Sequence, residues 1–284
     1  MPGRPPRRWY TPPRWTGAIT DFIDRRVDRV AGSPERSIEI TDRWVATARR
    51  RYGPESWKTV NTMEAAAKRR DDVGDHQGSL ELRRQVLAVR TLHLGPEHRL
   101  TLNAEYALAG TLLGLDRPDA ARPVAEHALE CFVADLGPDD PATLAALERC
   151  ARIQVQLGET PEGILKYRRA IGGFRSRGDE ERAQLATSNL GRLLLGRGDL
   201  GEALGVFREL VDVQGRLLGT DAPATLASAR DLALTLARMG QLREAHVVAQ
   251  NLVAGTSRVH GPDHGSAADA RRLLDRIEAS LRPD

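Results

Sequence analysis

The side chains able to bind a metal, attack an electrophile or move a proton are seven histidines, two cysteines and a few adjacent carboxylates. His260 and His264 form the pair that could be read as metal ligands, and His93 and His98 lie in a similar way about a second segment. Both segments contain a Gly-Pro step, in HGPDH and LGPEH, and histidines that return at equivalent places of a repeated joint read as turn residues. Asp71/Asp72 and Asp139/Asp140 read as solvated charges at turns and helix ends rather than as general acids. Cys131 and Cys150 stand in no C-x-x-C spacing and beside no histidine cluster, so they make neither a zinc site nor a disulfide framework. The chain has no Gly-rich loop ending in Gly-Lys-Ser/Thr, no H-E-x-x-H, no G-x-S-x-G and no dinucleotide fingerprint. These observations predict no catalytic residue, no metal and no cofactor, and a chain that is not an enzyme.

What recurs instead is backbone punctuation, and a period of this length organises a whole fold. Gly53, Gly95 and Gly137 are 42 residues apart, Gly178 follows after 41, Gly219 after 41 and Gly261 after 42. Gly53, Gly95, Gly137 and Gly261 each open a Gly-Pro step, where Gly ends a helix in a left-handed conformation and Pro cannot continue it. Seven residues after the Gly, Val60, Leu102, Leu144 and Leu226 open apolar runs. Leu108-Ala109 and Leu232-Ala233 continue such runs at helical spacing and mark one buried face.

About twenty-one residues into each repeat comes a turn: GDHQGS, DRPDAA, GETPEG, GDLGEA and GQLREA. Its last residue is always small (Ser79, Ala121, Gly163, Ala203, Ala245), as two closely crossing helices require. Val124, Ala128, Leu129 and Phe132 then place an apolar stripe on the second helix. The unit that starts at Gly178 reads RGDEERAQL, one residue short and without Pro, with Asp179 as a helix cap and Glu180 and Glu181 at the positive end of the dipole.

The small residue after a G-x-x-x-[ED] turn, with Leu-Ala upstream, resembles the tetratricopeptide repeat. The 42-residue period and the LGPD/LGPE-x-x-x-TL joint resemble the kinesin-light-chain variety of that family, over about residues 17–282. The resemblance implies an all-α, right-handed superhelical solenoid of antiparallel helix pairs. HEAT or armadillo units, of similar length, are the alternative fold. A large β-rich core is excluded by an aromatic content of only 4%.

The expected organisation is an extended Pro/Arg/aromatic arm at 1–16, a degenerate N-terminal unit at 17–52, five full repeats at 53–260 and a capping helix at 261–282. The degenerate unit should hold helices near 17–31 and 34–51, with its turn near Gly32 and its small residue at Ser37. Cys131 and Cys150 fall on the second helix of one unit and the first helix of the next, which leaves open a regulatory disulfide or two small buried hydrophobes.

For function, the resemblance implies a partner protein or peptide held in the concave groove lined by the first helices. The outward positions there are Asn61, Glu64 and Lys68, with Asp71 and Asp72, in the first full unit, then Asn103 and Tyr106, then Glu148 and Arg152. Ser188, Asn189 and Arg192 follow, then Arg230 and Arg238, and Arg272 on the terminal helix. From Arg152 onward arginines dominate, which suits an acidic peptide. Kinesin-light-chain-type repeats commonly hold Asn at the positions that grip a peptide backbone. Here Asn189 is the clear match and Tyr106, Glu148 and Arg230 take the equivalent places, so a specific protein partner is expected.

Trp9, Tyr10 and Trp15, set among the arginines of the arm, have the character of docking anchors for a partner or for a second copy in a homo-oligomer; a solvated tail is the other reading. With 42 basic against 39 acidic side chains, no overall field calls for nucleic acid. No apolar run approaches the ~20 residues that span a bilayer, and the N-terminal stretch has no signal-peptide core, so no membrane and a cytoplasmic location are expected. A non-catalytic scaffold or adaptor for protein–protein interaction is the leading expectation; the alternative is a regulatory sensor or accessory subunit of a signalling or transcriptional system.

Overall fold

Helix boundaries fall at the punctuation. The computed structural model describes residues 33–281, whose regular structure is entirely helical. The helices are α1 (Pro34–Tyr52), α2 (Trp57–Asp72), α3 (His76–Leu94), α4 (Arg99–Gly114), α5 (Pro118–Leu136) and α6 (Pro141–Gln156), followed by α7 (Thr160–Ser176), α8 (Glu180–Arg197), α9 (Leu200–Leu218), α10 (Pro223–Arg238), α11 (Leu242–His260) and α12 (Gly265–Leu281). Trp9, Tyr10 and Trp15 of the expected arm, and the expected helix at 17–31, lie outside the described residues. Among the described residues no helix is long and apolar enough to cross a membrane.

The chain divides into two compact units, with the boundary after Lys166 within α7. In the first, α1 to α6 pack each on the next, and α4 also touches α6. In the second, α8 to α12 do the same, and α8 touches α10 as α10 touches α12. The even-numbered helices of each unit therefore line up side by side, which is what creates a groove between them.

The buried positions follow the repeat. Val60, Leu102, Leu144 and Leu226, which open the first helices, are all buried, as are Leu108-Ala109 and Leu232-Ala233. The small residues at the hairpin crossings, Ser79, Ala121, Ala203 and Ala245, are sealed from solvent, and Ser37 is buried as well. At Gly163 a methyl group would sit 2.8 Å from the carbonyl oxygen of Ala151, so here even alanine is too large for the crossing.

The Thr of the TL joint has a specific task. Thr59, Thr101, Thr143 and Thr225 are buried, and each donates its hydroxyl to the carbonyl of the glycine six residues before it, at 2.7, 2.8, 2.8 and 2.8 Å. This latch satisfies a carbonyl freed at a helix end and ties the end of one helix to the first turn of the next. The joint at Gly178 has no such Thr: counted back from Gly198, the buried Ala183 stands in its place. There Asp179 N–H donates to the Phe174 carbonyl at 3.0 Å and Gly178 takes φ 72°, the same closure that Asp75 makes on Arg70 and Gln241 on Leu236 inside the helix hairpins. A hairpin turn replaces the Gly-Pro joint, and α8 gains the length that the joint gives up: 18 residues, against 16 for α2, α4, α6 and α10.

Candidate partner-binding groove

In the first unit, packing removes several of the expected groove residues from the surface. Asn61 is buried, with its amide nitrogen unpartnered, so it is a packed residue rather than an outward one. Glu64 faces Arg90, whose side chain is only 3% exposed. The guanidinium donates to both carboxylate oxygens, at 2.5 and 3.2 Å, and to the Leu100 carbonyl at 2.9 Å. Asp71, expected as a solvated charge, instead accepts two bonds from Arg83 (3.0 and 2.7 Å) and one from Thr111 (3.0 Å), 3.1 Å from His76 Nδ1. For Glu64 and Asp71 the cause is the same: long arginines of the second helix reach back across the hairpin. Lys68, Asn103 and Arg152 stay exposed, and the Tyr106 ring carries the Arg149 guanidinium 3.9 Å from its centroid.

The joint histidines act as turn residues. His98 Nδ1 accepts from the Leu100 amide and His264 Nδ1 from the Ser266 amide, both at 3.2 Å, and the rings of His260 and His264 stack 4.7 Å apart. Among the described residues no group of three or more His, Cys, Asp or Glu could hold a metal ion. Cys150 and Cys131 are both free thiols. Burial pushes the Cys150 thiol up to about 11. Cys131 is raised by burial and by Glu97, Glu105 and Glu130, and its sulfur lies 3.7 Å from His127 Nε2, whose Nδ1 is 2.8 Å from Glu105. His127 and Cys131 share α5 at i, i+4 spacing, whereas Glu105 arrives from α4, a contact that the helical pattern does not reveal.

The second unit brings more of the expected residues together. A cleft of about 600 Å³ opens between α8, the end of α9 and the start of α10, with Ser188 and Arg192 in its lining. Its apolar wall is Leu185, Leu217 and Leu218, whose exposures are 59, 63 and 56%. Beside it lies Asp231, whose side chain is 4% exposed and is faced by two guanidiniums: Arg192 Nε at 2.6 Å from Oδ2, and Arg230 Nη2 at 3.2 Å from Oδ1. Arg230 also lines a second cleft of about 590 Å³ between α10 and α12, together with Arg272 and Arg276 and with Asp269 and Asp275, of which Asp269 pairs with Arg272. Arg238 turns away and caps the Leu195 carbonyl of α8.

Counting back from the hairpin glycines Gly198 and Gly240, Asn189 shares its place with Asp231 and Ser188 shares its place with Arg230. This corrects the expected pairing of Asn189 with Arg230, because the missing residue of that unit lies in its joint, before the helix. The leucines could have been noticed in the sequence as departures from the repeat. Leu185 occupies the place of Asn61 and Asn103, and Leu217 that of His93 and Asp135.

Helix hairpins that cross at small residues, stacked so that alternate helices touch, define an α-helical repeat protein. The sequence matches the tetratricopeptide repeat family over residues 100–176 and 181–254, more than half of the chain, and the chain belongs to that family, which sets aside the HEAT and armadillo alternatives. Comparison with curated protein sequences gives no match.

Among solved structures it is similar to the kinesin-light-chain-like repeats of a Podosopora anserina protein, at 22% identity and a TM-score of 0.61, covering 70% of this chain and 95% of that one. It is also similar to the quorum sensor NprR from B. thuringiensis in its apo form, at 14% identity and a TM-score of 0.67, covering 95% and 70%. NprR in complex with its cognate peptide NprX gives 14% identity, a TM-score of 0.62 and coverage of 95% and 74%.

Proposed function

We propose that the chain is a non-catalytic scaffold that holds a partner protein or peptide against its first helices. The observation that carries this reading is the cleft between α8 and α10, where three well-exposed leucines stand beside half-exposed arginines. Exposed apolar surface concentrated in one cleft, with charges at its edge, is the usual composition of an interaction site. In the first unit Lys68, Asn103, Tyr106, Glu148 and Arg152 would form a contact surface of its own. A cytoplasmic location belongs to the same proposal and is supported by the two free thiols. A second reading, a peptide-responsive regulatory sensor, is favoured by the fold shared with NprR, which binds its cognate peptide NprX.

The test is site-specific photo-crosslinking. A photoreactive residue placed at Asn103 or Ala227, on first helices, should trap a discrete protein or peptide. The same residue at Val247, exposed on α11, should not. Equal labelling at Val247, or none at either groove position, refutes the proposal.

A further inference from the structure

We propose that the second unit holds a two-part recognition site for a partner segment that carries a large aliphatic side chain with a carboxylate to one side of it. This rests on the scaffold reading and specifies the chemistry of its partner. The first part is the cleft bounded by Leu185, Leu217 and Leu218. At about 600 Å³ it lies within the usual size of ligand pockets, with room for a bulky side chain and the backbone that carries it.

The second part is the positive charge left at Asp231. One buried carboxylate is faced by two guanidiniums, which leaves one positive charge unbalanced and most of the arginine N–H donors unspent. Asp231 holds both arginines in place, so little side-chain entropy is lost when another acceptor binds them. Arg192 belongs to the apolar cleft and Arg230 to the second cleft, where Asp269 and Asp275 offset Arg272 and Arg276, so the surplus charge is the one held at Asp231. A carboxylate beside the aliphatic anchor therefore meets a fork of donors, the geometry in which arginine binds carboxylates best.

The opposite end of the apolar cleft fixes the direction. Glu180 and Glu181 line it there. Eleven residues of α8 separate Glu181 from Arg192, about 16 Å along the axis at ~1.5 Å per residue. A carboxylate is repelled at the first end and attracted at the second, so the segment binds in one orientation. The chain's own residues 1–16 cannot supply this ligand, since they contain no acidic residue.

The test is to pan a phage-displayed library of random dodecapeptides against the full chain. Enriched sequences should pair Leu, Ile or Met with Asp or Glu at a fixed spacing and on a fixed side. A synthetic copy of the leading sequence should lose about tenfold or more in affinity with Leu217→Asp and with Arg192→Gln. Leu217 is exposed, so that variant should keep its helical circular dichroism, and Arg192→Gln retains a donor for Asp231. Enrichment of basic sequences, or affinity unchanged by both variants, overturns the proposal. If no peptide is enriched while Asn103 still crosslinks a partner, the two-part site fails and the scaffold reading stands; if neither is seen, both fail.

Discussion

Removing Asp231 should be far less harmful than removing the arginines that face it. Asp231 is the only buried member of the trio: its side chain is 4% exposed, against 45% for Arg192 and 52% for Arg230. In Asp231→Ala no buried charge is left behind. Both guanidiniums can turn to water, and alanine already occupies the same place at Ala65 and Ala107. The loss is limited to charge-assisted hydrogen bonds, about 0–1 kcal/mol after rehydration of the arginines.

In Arg192→Ala/Arg230→Ala the carboxylate keeps its burial and loses both partners. Stranding one member of a buried pair costs roughly 3–5 kcal/mol, and water entering where the half-exposed arginines stood lowers the expectation to about 2–4 kcal/mol. The triple variant should recover most of that loss.

Urea denaturation followed by helical circular dichroism measures the differences. Hydrogen exchange in α8 and α10 is needed alongside, because repeat arrays do not always unfold in one step. If Asp231→Ala costs as much as the double arginine variant, or the triple variant recovers nothing, the burial argument is wrong. Arg192→Glu with Arg230→Glu crowds carboxylates around Asp231, so lost partner capture means loss of a contact only if the fold is shown to persist.

Three further outcomes follow from the local chemistry. Thr143→Val should destabilise by about 1 kcal/mol, by removing the donor to the Gly137 carbonyl, and Thr143→Ser should restore part of it, both measured by thermal unfolding. For Asp75, burial works to raise the pKa, but the Gly78 amide and the Arg70 guanidinium outweigh it and hold the folded-state value below the ordinary one. Its contribution is therefore complete above about pH 4 and is lost as pH falls through the lower folded value, so Asp75→Asn should flatten the urea midpoint's dependence on pH between 5 and 3. In the native protein iodoacetamide should label Cys131 well before Cys150, which is buried and titrates near 11; equal rates read by peptide mass spectrometry would contradict the placement of Cys150.

The fold was legible because its determinants are local and repeated. A glycine that ends a helix, a proline that cannot continue it and a small residue at the crossing each act within a few positions of the chain. The groove was less so, and the reason is reach. Glu64 and Asp71 sit at outward-looking positions of α2, yet Arg90 and Arg83 of α3 fold back to bind them. Helical spacing fixes where a Cβ points; it does not say which long side chain from a neighbouring helix arrives there. Asp231 was overlooked for a related reason. Its partner Arg192 lies 39 residues away, a separation at which only the stacking of α8 on α10 makes them neighbours. The leucines carried a signal, as departures from the repeat at 185 and 217, that becomes meaningful only once α8, α9 and α10 are known to converge.

The odd joint at Gly178 reaches beyond the backbone. By register from the hairpin glycine, Glu180 stands where Ser56, His98, Asp140 and Ala222 cap their helices, and Glu181 where Trp57, Arg99, Pro141 and Pro223 begin theirs. Shortening the connection by one residue moves the cap back to Asp179 and adds Glu180 to the first turn of α8, beside Glu181. A connection one residue shorter thus doubles the negative charge that the first turn of α8 presents at that end of the cleft.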